Sequence, residues 1–442
     1  MEDNNSIPEV SLFHFIKHSF QILKNPLPFH KSNFEKHGDL FKLKIGFNKY
    51  IYFCRDAELA EYVLQKNNRN YTKSKIQTQD LAKYVGNGLL TAEGEHWKTQ
   101  RRLIQPAFHK KQIELLLQTI QDTIEDQYQA FSVNQTTDVF PAFNDLAFNI
   151  VVKSLFSDAA NQDQINRLQY ITEAEQKMLV KELRQPYLGW WFKLSGTLKN
   201  HLNLSLEARQ ILRDIVKDRL NSNTVYNDLL DMLLSATYED GSSMEEQQLL
   251  DEILILFTAG HETTSNALTF IVQLLAKHPN WQEQIYEEIK KNEDQDNLMS
   301  VIANSTICQQ VIEEAMRLYP PVYFIDRVNI EADKFKTYSF KKGSNLLFSI
   351  FEIHRHPKLW DKPNTFSPTR FKDGSRPFSS FYFPFGAGPR KCIGNNFAIY
   401  EIILAINHLV KTYKIEPKFD QIEILPLITL KPKNAFVNFI ER

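Results

Sequence analysis

The chain has 442 residues, 43% hydrophobic and 24% charged, enough to bury a large core. Its 52 basic and 53 acidic residues leave a net charge of −1, which argues against nucleic acid as a partner, since no basic excess exists to neutralise phosphates. The three cysteines, Cys54, Cys308 and Cys392, are far apart and odd in number; that excludes a disulfide framework and a CxxC zinc site and points to a reducing compartment.

The N-terminal stretch "MEDNNSIPEVSLFHFIKHSFQILKNPLPFH" opens acidic, and its best apolar run is interrupted by His14, Lys17 and His18. No integral membrane segment is expected there, because a spanning helix needs ~20 consecutive apolar residues; the run reads as a first helix packing on its own domain. Residues 40–54, "LFKLKIGFNKYIYFC", alternate apolar and polar around a turn and predict a β-hairpin. From about 95 to 320 the periodicity is helical, with loops expected near 133–137, 157–162, 186–198 and 221–224. After Pro320–Pro321 short strands return in "TYSF" and "NLLFSI", followed by a glycine-bearing loop, one more helix and a final hairpin around "ILPLITLKPKNAFVNF". No repeat, low-complexity linker or composition shift divides the chain. The expectation is a single domain over 1–442, mainly α, with a minor β region made from both ends.

Three stretches carry chemistry. "FPFGAGPRKCIGNNFA", residues 383–398, holds Gly386, Gly388 and Gly394, three of only 14 glycines, around Cys392. The glycines mark a backbone that a Cβ would forbid. Helical spacing resumes just after the cysteine, where the helix dipole favours a thiolate, so the loop presents a metal ligand. The second stretch, Gln247 to Lys277, reads as one long, mostly apolar helix, hence buried. Its middle nevertheless holds Gly260, His261, Glu262, Thr263 and Thr264. A threonine there bonds back to the carbonyl four residues earlier and bends the helix, a glycine opens a groove, and an acid beside a hydroxyl can pass protons to a small polar ligand. The third, "VIEEAMRLYPP", sets Glu314 and Arg317 three apart on a helix stopped by prolines, with Arg370 of "FSPTRF" as a suitable third member of a buried network.

Together these residues resemble the cytochrome P-450 superfamily. Phe385, Gly388, Arg390, Cys392 and Gly394 match its FxxGxRxCxG haem-binding signature; "AGHETT" at 259–264 is similar to its oxygen-binding helix motif; Glu314 and Arg317 match its ExxR. "PTRF" at 368–371 resembles its PERF box with Thr369 in place of glutamate, and Trp97 and Arg101 match its WxxxR. The resemblance implies the cytochrome P-450 fold, with a long central helix over a haem. It implies heme b with Cys392 as axial thiolate and Phe385 packed beside it. Trp97, Arg101 and Arg390 should contact the propionates, with Arg327 and His354 as further candidates by position. Thr263 should hold dioxygen at the iron, Glu262 relay protons, and Gly260 leave room for O2.

The resemblance further implies a cytoplasmic monooxygenase of the soluble bacterial type, acting on a small-molecule substrate by hydroxylation or oxidative O-demethylation. No reductase follows Cys392, so electrons are expected from a ferredoxin or flavodoxin with its NAD(P)H reductase, docking on a basic patch of Lys98, Arg102 and Lys391. The rival readings are a peroxide-dependent peroxygenase, which usually dispenses with the acid–alcohol pair, and a non-catalytic haem-thiolate sensor or carrier, which needs no proton relay. By analogy with the fold, the residues between the first sheet and the Trp97 helix, "KIQTQDLAKYVGNGLLTAEGEHW" at 75–97, line the distal pocket, with Gln77, Thr78, Gln79, Asp80 and Tyr84 among Leu81, Leu89 and Leu90. Val322, Tyr323, Phe324 and Ile428 join them from later loops. The substrate classes that fit are a terpenoid or fatty acid, or else a polar methyl ether.

Overall fold

Alternating apolar residues set Leu40–Gly46 against Lys49–Cys54 as the expected antiparallel pair, in register at Phe41 with Phe53 and Leu43 with Ile51. The Phe41 and Phe53 rings stack with centroids 5.0 Å apart. The computed structural model describes residues 7–442 other than 47, 48, 130, 132, 158, 223, 294 and 296. It divides into two compact units, one of Met1–Ser74, Gln309–Cys392 and Ile422–Lys433, the other of Lys75–Cys308, Ile393–Gln421 and Asn434–Arg442.

The first unit is built on a six-stranded sheet in the order Glu9–Val10, Leu40–Gly46, Lys49–Cys54, Asn345–Ser349, Phe324–Asn329, Tyr71–Thr72. Its core joins Leu40, Cys54, Leu59, Val63 and Tyr71 to Ile325, Leu346, Phe348, Ile353 and Phe383, so the early strands and the segment leading to the cysteine loop share one apolar cluster. Hairpin Glu423–Pro426/Leu430–Lys433 completes this unit.

The second unit is helical. Helix Glu246–Lys277 is buried along most of its length because it is apolar on most sides. It packs on Val139–Phe156: Phe148 meets His261 edge-on at 5.4 Å and Phe257 at 5.6 Å. Val139–Phe156 is the one described helix long and apolar enough to cross a bilayer, and 61% of it is buried inside the protein, where this packing uses its apolar surface. Strands Tyr413–Pro417, Phe436–Glu441 and Thr136–Asp138 form a three-stranded antiparallel sheet.

Several expectations change. The N-terminal run is not one packed helix but two short ones, Leu12–Lys17 and Ser19–Lys24, which leave Leu12, Phe13, Ile16 and Phe20 exposed. Strand Thr136–Asp138 begins inside the loop expected at 133–137. The C-terminal stretch is not one hairpin, because Asn434 at φ +54° redirects the chain and Phe436–Glu441 pairs with strands distant in sequence. The loop expected at 186–198 contains helix Gly189–Leu194, anchored by Phe192 among Tyr84, Met178, Leu179 and Ile255.

Candidate active site

The cysteine loop is tied by its own backbone. The Gly386 N–H donates to the Phe383 carbonyl at 3.1 Å, the Lys391 N–H to Gly388 at 3.1 Å, and the Cys392 N–H to Phe385 at 2.9 Å. Gly386 and Gly388 sit at φ +72° and +69°, where side chains are disfavoured, and a Cβ on Gly388 would lie 2.0 Å from the Leu64 carbonyl oxygen. Gly394 departs from the expectation: its φ is −87° and a Cβ would make only ordinary contact with Phe108, so it caps the Asn395–Thr412 helix without being conformationally required. The loop leaves Cys392 exposed. Cys54 and Cys308 are fully buried, and burial pushes both thiols well above their usual range, so they stay neutral.

The three charges singled out behind this loop do meet. Glu314 and Arg317 are wholly buried and paired twice, Nε to Oε2 at 2.7 Å and Nη2 to Oε1 at 2.9 Å. Arg370 Nε reaches Glu314 Oε1 at 3.3 Å, and the Ser367 N–H donates to the same oxygen at 2.8 Å. Arg317 also donates to the carbonyls of His354 and Pro363, each at 2.7 Å. Thr369 lies outside the network, its hydroxyl 3.1 Å from that of Ser367, so threonine in place of glutamate leaves the network whole. Trp360, under the Arg317 guanidinium at 5.1 Å, is a member that no sequence spacing announced.

On the long helix, Thr258, Thr263 and Thr264 each donate their hydroxyl to the carbonyl four residues back, at 2.8, 2.8 and 2.9 Å. Glu262 and Thr264 are buried, Thr263 and Leu256 are half-buried, and Ala259 is exposed. Leu256, Ala259 and Thr263 therefore form an open stripe along the middle of the helix, with Thr258 and Gly260 half-buried beside it, which the i, i+3, i+7 spacing from Leu256 could have revealed. The Thr263 proton is held by Ala259, so the hydroxyl presents lone pairs along this stripe. Gly260 serves packing: its Cβ would stand 3.0 Å from Val151 Cγ2, so the missing side chain admits the neighbouring helix.

Trp97 and Arg101 lie one turn apart on helix Gly94–Ile104, the tryptophan buried and Arg101 Nε donating to Gln105 at 3.1 Å. Arg327 is buried in strand Phe324–Asn329, with Nη1 donating to the Asp326 carbonyl at 2.7 Å. Arg390 ends a short 3₁₀ turn just before Cys392 and is half-buried, as is Phe385. His354 is wholly buried, and its Nε2 accepts the Phe383 N–H at 2.8 Å. The imidazole is committed to the protein backbone, which removes it from the propionate contacts expected by position. Two cations of the expected basic patch are neutralised: Lys98 pairs with Glu95 at 2.5 Å and Arg102 with Glu239.

The family model for cytochrome P-450 matches residues 8–439. The chain belongs to the cytochrome P-450 family. A pentalenene oxygenase of Streptomyces avermitilis is 27% identical over 92% of this cytochrome P-450 and 90% of the relative. A cytokinin hydroxylase of Arabidopsis thaliana is 28% identical over 93% of this chain and 82% of its own length. The solved heme domain of a cytochrome P-450DA mutant superposes with a TM-score of 0.86 at 20% identity, covering 99% of this chain and 98% of that one. A cyanobacterial P-450 with retinoic acid bound gives 0.83 at 23%, covering 96% of both chains. The predicted fold is thereby borne out, as is the reaction class: a haem-thiolate monooxygenase that uses a small-molecule substrate, O2 and redox partners. The residues fit the group, since one accessible thiol stands on a backbone-tied loop while the other two cysteines are sealed in the core.

Proposed function

We propose that Cys392 is the axial haem ligand and that Thr263 and Glu262 manage protons during oxygen insertion into a substrate C–H bond. When bound, the haem activates dioxygen, the thiolate favouring O–O cleavage. Phe385 fixes the Cys392 amide through its carbonyl and packs beside the sulfur. Trp97, Arg101 and Arg390 hold the propionates, with Arg327 as a fourth contact. Glu262 supplies an ionisable proton and Thr263 a hydroxyl whose lone pairs face the open stripe. Gly260 sets how closely the neighbouring helix approaches that stripe.

One observation carries the ligand assignment: Cys392 alone among the three cysteines is exposed. Purified protein reduced under carbon monoxide should show the strongly red-shifted Soret band of thiolate ligation. Cys392→His should abolish it, while Cys54→Ala and Cys308→Ala should retain it. Retention of the band in Cys392→His would refute the assignment.

The chain works as one haem domain over 1–442, a reading supported by the single family match across 8–439. The odd number and wide spacing of the three cysteines support a cytoplasmic setting. Electrons come from a ferredoxin or flavodoxin and its reductase. With Lys98 and Arg102 already paired to carboxylates, turnover should depend only weakly on salt; a steep fall would restore the basic patch as the docking site.

The substrate is a terpenoid or fatty acid rather than a polar methyl ether. Leu81 and Leu90 pack with Met178, Leu179, Phe192 and Ile255, and the Tyr84 hydroxyl is committed to Glu182 at 2.6 Å, which takes that one hydroxyl out of reach of a substrate. Two relatives are named for pentalenene and cyclooctat-9-en-7-ol, names that denote a hydrocarbon and a simple alcohol. Substrate-induced shifts of the haem spectrum across a panel of terpenoids, fatty acids and methyl ethers test this choice. Shifts with methyl ethers alone would reverse it.

A further inference from the structure

His354 connects two features that sequence motifs treat separately. Its carbonyl accepts from Arg317 Nη1 at 2.7 Å, inside the buried Glu314–Arg317 pair. Its ring accepts from the Phe383 N–H at 2.8 Å, at the start of the cysteine loop. Two aromatic rings pack against it, Tyr382 at 5.1 Å and Trp360 at 6.4 Å. Both neighbours are tied down in turn: Tyr382 donates its hydroxyl to the Glu313 carbonyl at 2.7 Å, and Trp360 Nε1 donates to Ile353 at 3.1 Å. From Phe383 the loop continues through its own hydrogen bonds to Cys392.

We propose that His354 is a positioning residue for the Cys392 loop, joining it to the buried ion pair, and that it acts only as the neutral imidazole with Nε2 unprotonated. The reason is geometric. A backbone N–H can only donate, so Nε2 must accept. Protonation would turn that nitrogen into a second donor facing Phe383, and the loop would lose its anchor. The surroundings oppose protonation: burial first, then the nearby guanidinium charges of Arg317 and Arg355, outweigh the carbonyls of Arg317 and Met316 that favour the charged ring. Of the acids close by, Glu314 is already engaged by Arg317 and Arg370, and burial raises the Glu313 carboxyl to about 6.

The inference deepens the assignment of Cys392 as ligand, and its test separates the two. Hydrogen exchange on the wild-type holoenzyme reads the tie directly: the Phe383 amide should exchange roughly 100-fold slower than solvent-exposed amides nearby. Fast exchange there overturns the proposal. His354→Phe keeps a ring but removes the acceptor, so the ratio of thiolate to blue-shifted ferrous–CO form should fall about tenfold, the equivalent of one hydrogen bond. His354→Gln offers an amide oxygen at the same place and should recover the ratio. Unlike wild type, it should keep the thiolate form as pH falls, because it has no ring to titrate. If His354→Phe matches wild type, or His354→Gln follows the wild-type acid profile, His354 only fills space. Should the Phe variant fail to fold, the Gln comparison and the wild-type exchange still decide. A wild type lacking the thiolate band would instead sink the Cys392 assignment, with the exchange measurement still reporting on His354.

Discussion

Gly388 approaches Leu64 so closely that a Cβ would stand 2.0 Å from the Leu64 carbonyl oxygen. The obstacle is backbone, which cannot rotate aside, and the glycine already sits at φ +69°. Gly388→Ala should therefore cost more than about 3 kcal/mol, combining steric overlap with left-handed strain. Gly386→Ala meets only Ile325 Cδ1 at 3.8 Å and should cost roughly 1–2 kcal/mol for its φ of +72°. Gly394→Ala should be nearly silent. Denaturant midpoints and haem content of the three variants check the ranking; equal losses would contradict it.

Breaking the buried pair should be expensive because the remaining charge has no water to turn to. Glu314→Gln or Arg317→Leu should destabilise by about 3–5 kcal/mol and reduce haem retention. Arg370→Ala should cost less, since one 3.3 Å contact with Glu314 is lost from a partly exposed side chain. Chemical denaturation of holoenzyme measures both. A larger loss for Arg370→Ala than for Arg317→Leu would show that the network is anchored from the wrong end.

Thr263 tests whether the open stripe handles protons. Thr263→Ala removes one hydroxyl at a half-buried site and introduces the better helix former, so stability should change by less than about 1 kcal/mol. Product formed per NAD(P)H consumed should nevertheless fall severalfold, with hydrogen peroxide making up the difference. Thr263→Ser should restore coupling, and Glu262→Gln should slow turnover. Intact coupling in Thr263→Ala would mean the hydroxyl only bends the helix, and would favour the peroxygenase reading.

Acid should weaken the fold through His30. Its ring is buried between Phe53 at 4.9 Å and Phe324 at 5.0 Å, and burial pushes its pKa down to about 3. The unfolded chain takes up this proton near pH 6.5, whereas the folded protein refuses it until about 3, so stability is complete above 6.5 and falls as pH drops through that window. The slope attributable to one such histidine is about 1.4 kcal/mol per pH unit. His30→Phe should flatten the stability profile between those limits by that amount. An unchanged slope would assign acid sensitivity to other groups.

Sequence by itself determined the parts whose partners are close along the chain. The cysteine loop was legible because glycine and cysteine sit within ten residues, and the Glu314–Arg317 pair because i, i+3 is a helical neighbour relation. The hairpin at 40–54 and the long helix followed from periods of 2 and 3.6. Tertiary structure decided what depends on chain segments meeting from afar. Nothing local to Gly388 says that Leu64 will press against it, or that Gly260 will face Val151. Lys98 and Arg102 read alike as free cations in sequence. One found its carboxylate three residues away, the other 137 residues downstream. His354 looked like a ligand contact by position and became a backbone anchor, because only the folded chain brings its ring to Phe383. Periodicity encodes which face a residue turns inward; which atoms it meets there is set by long-range closure of the chain, for which spacing carries no signal.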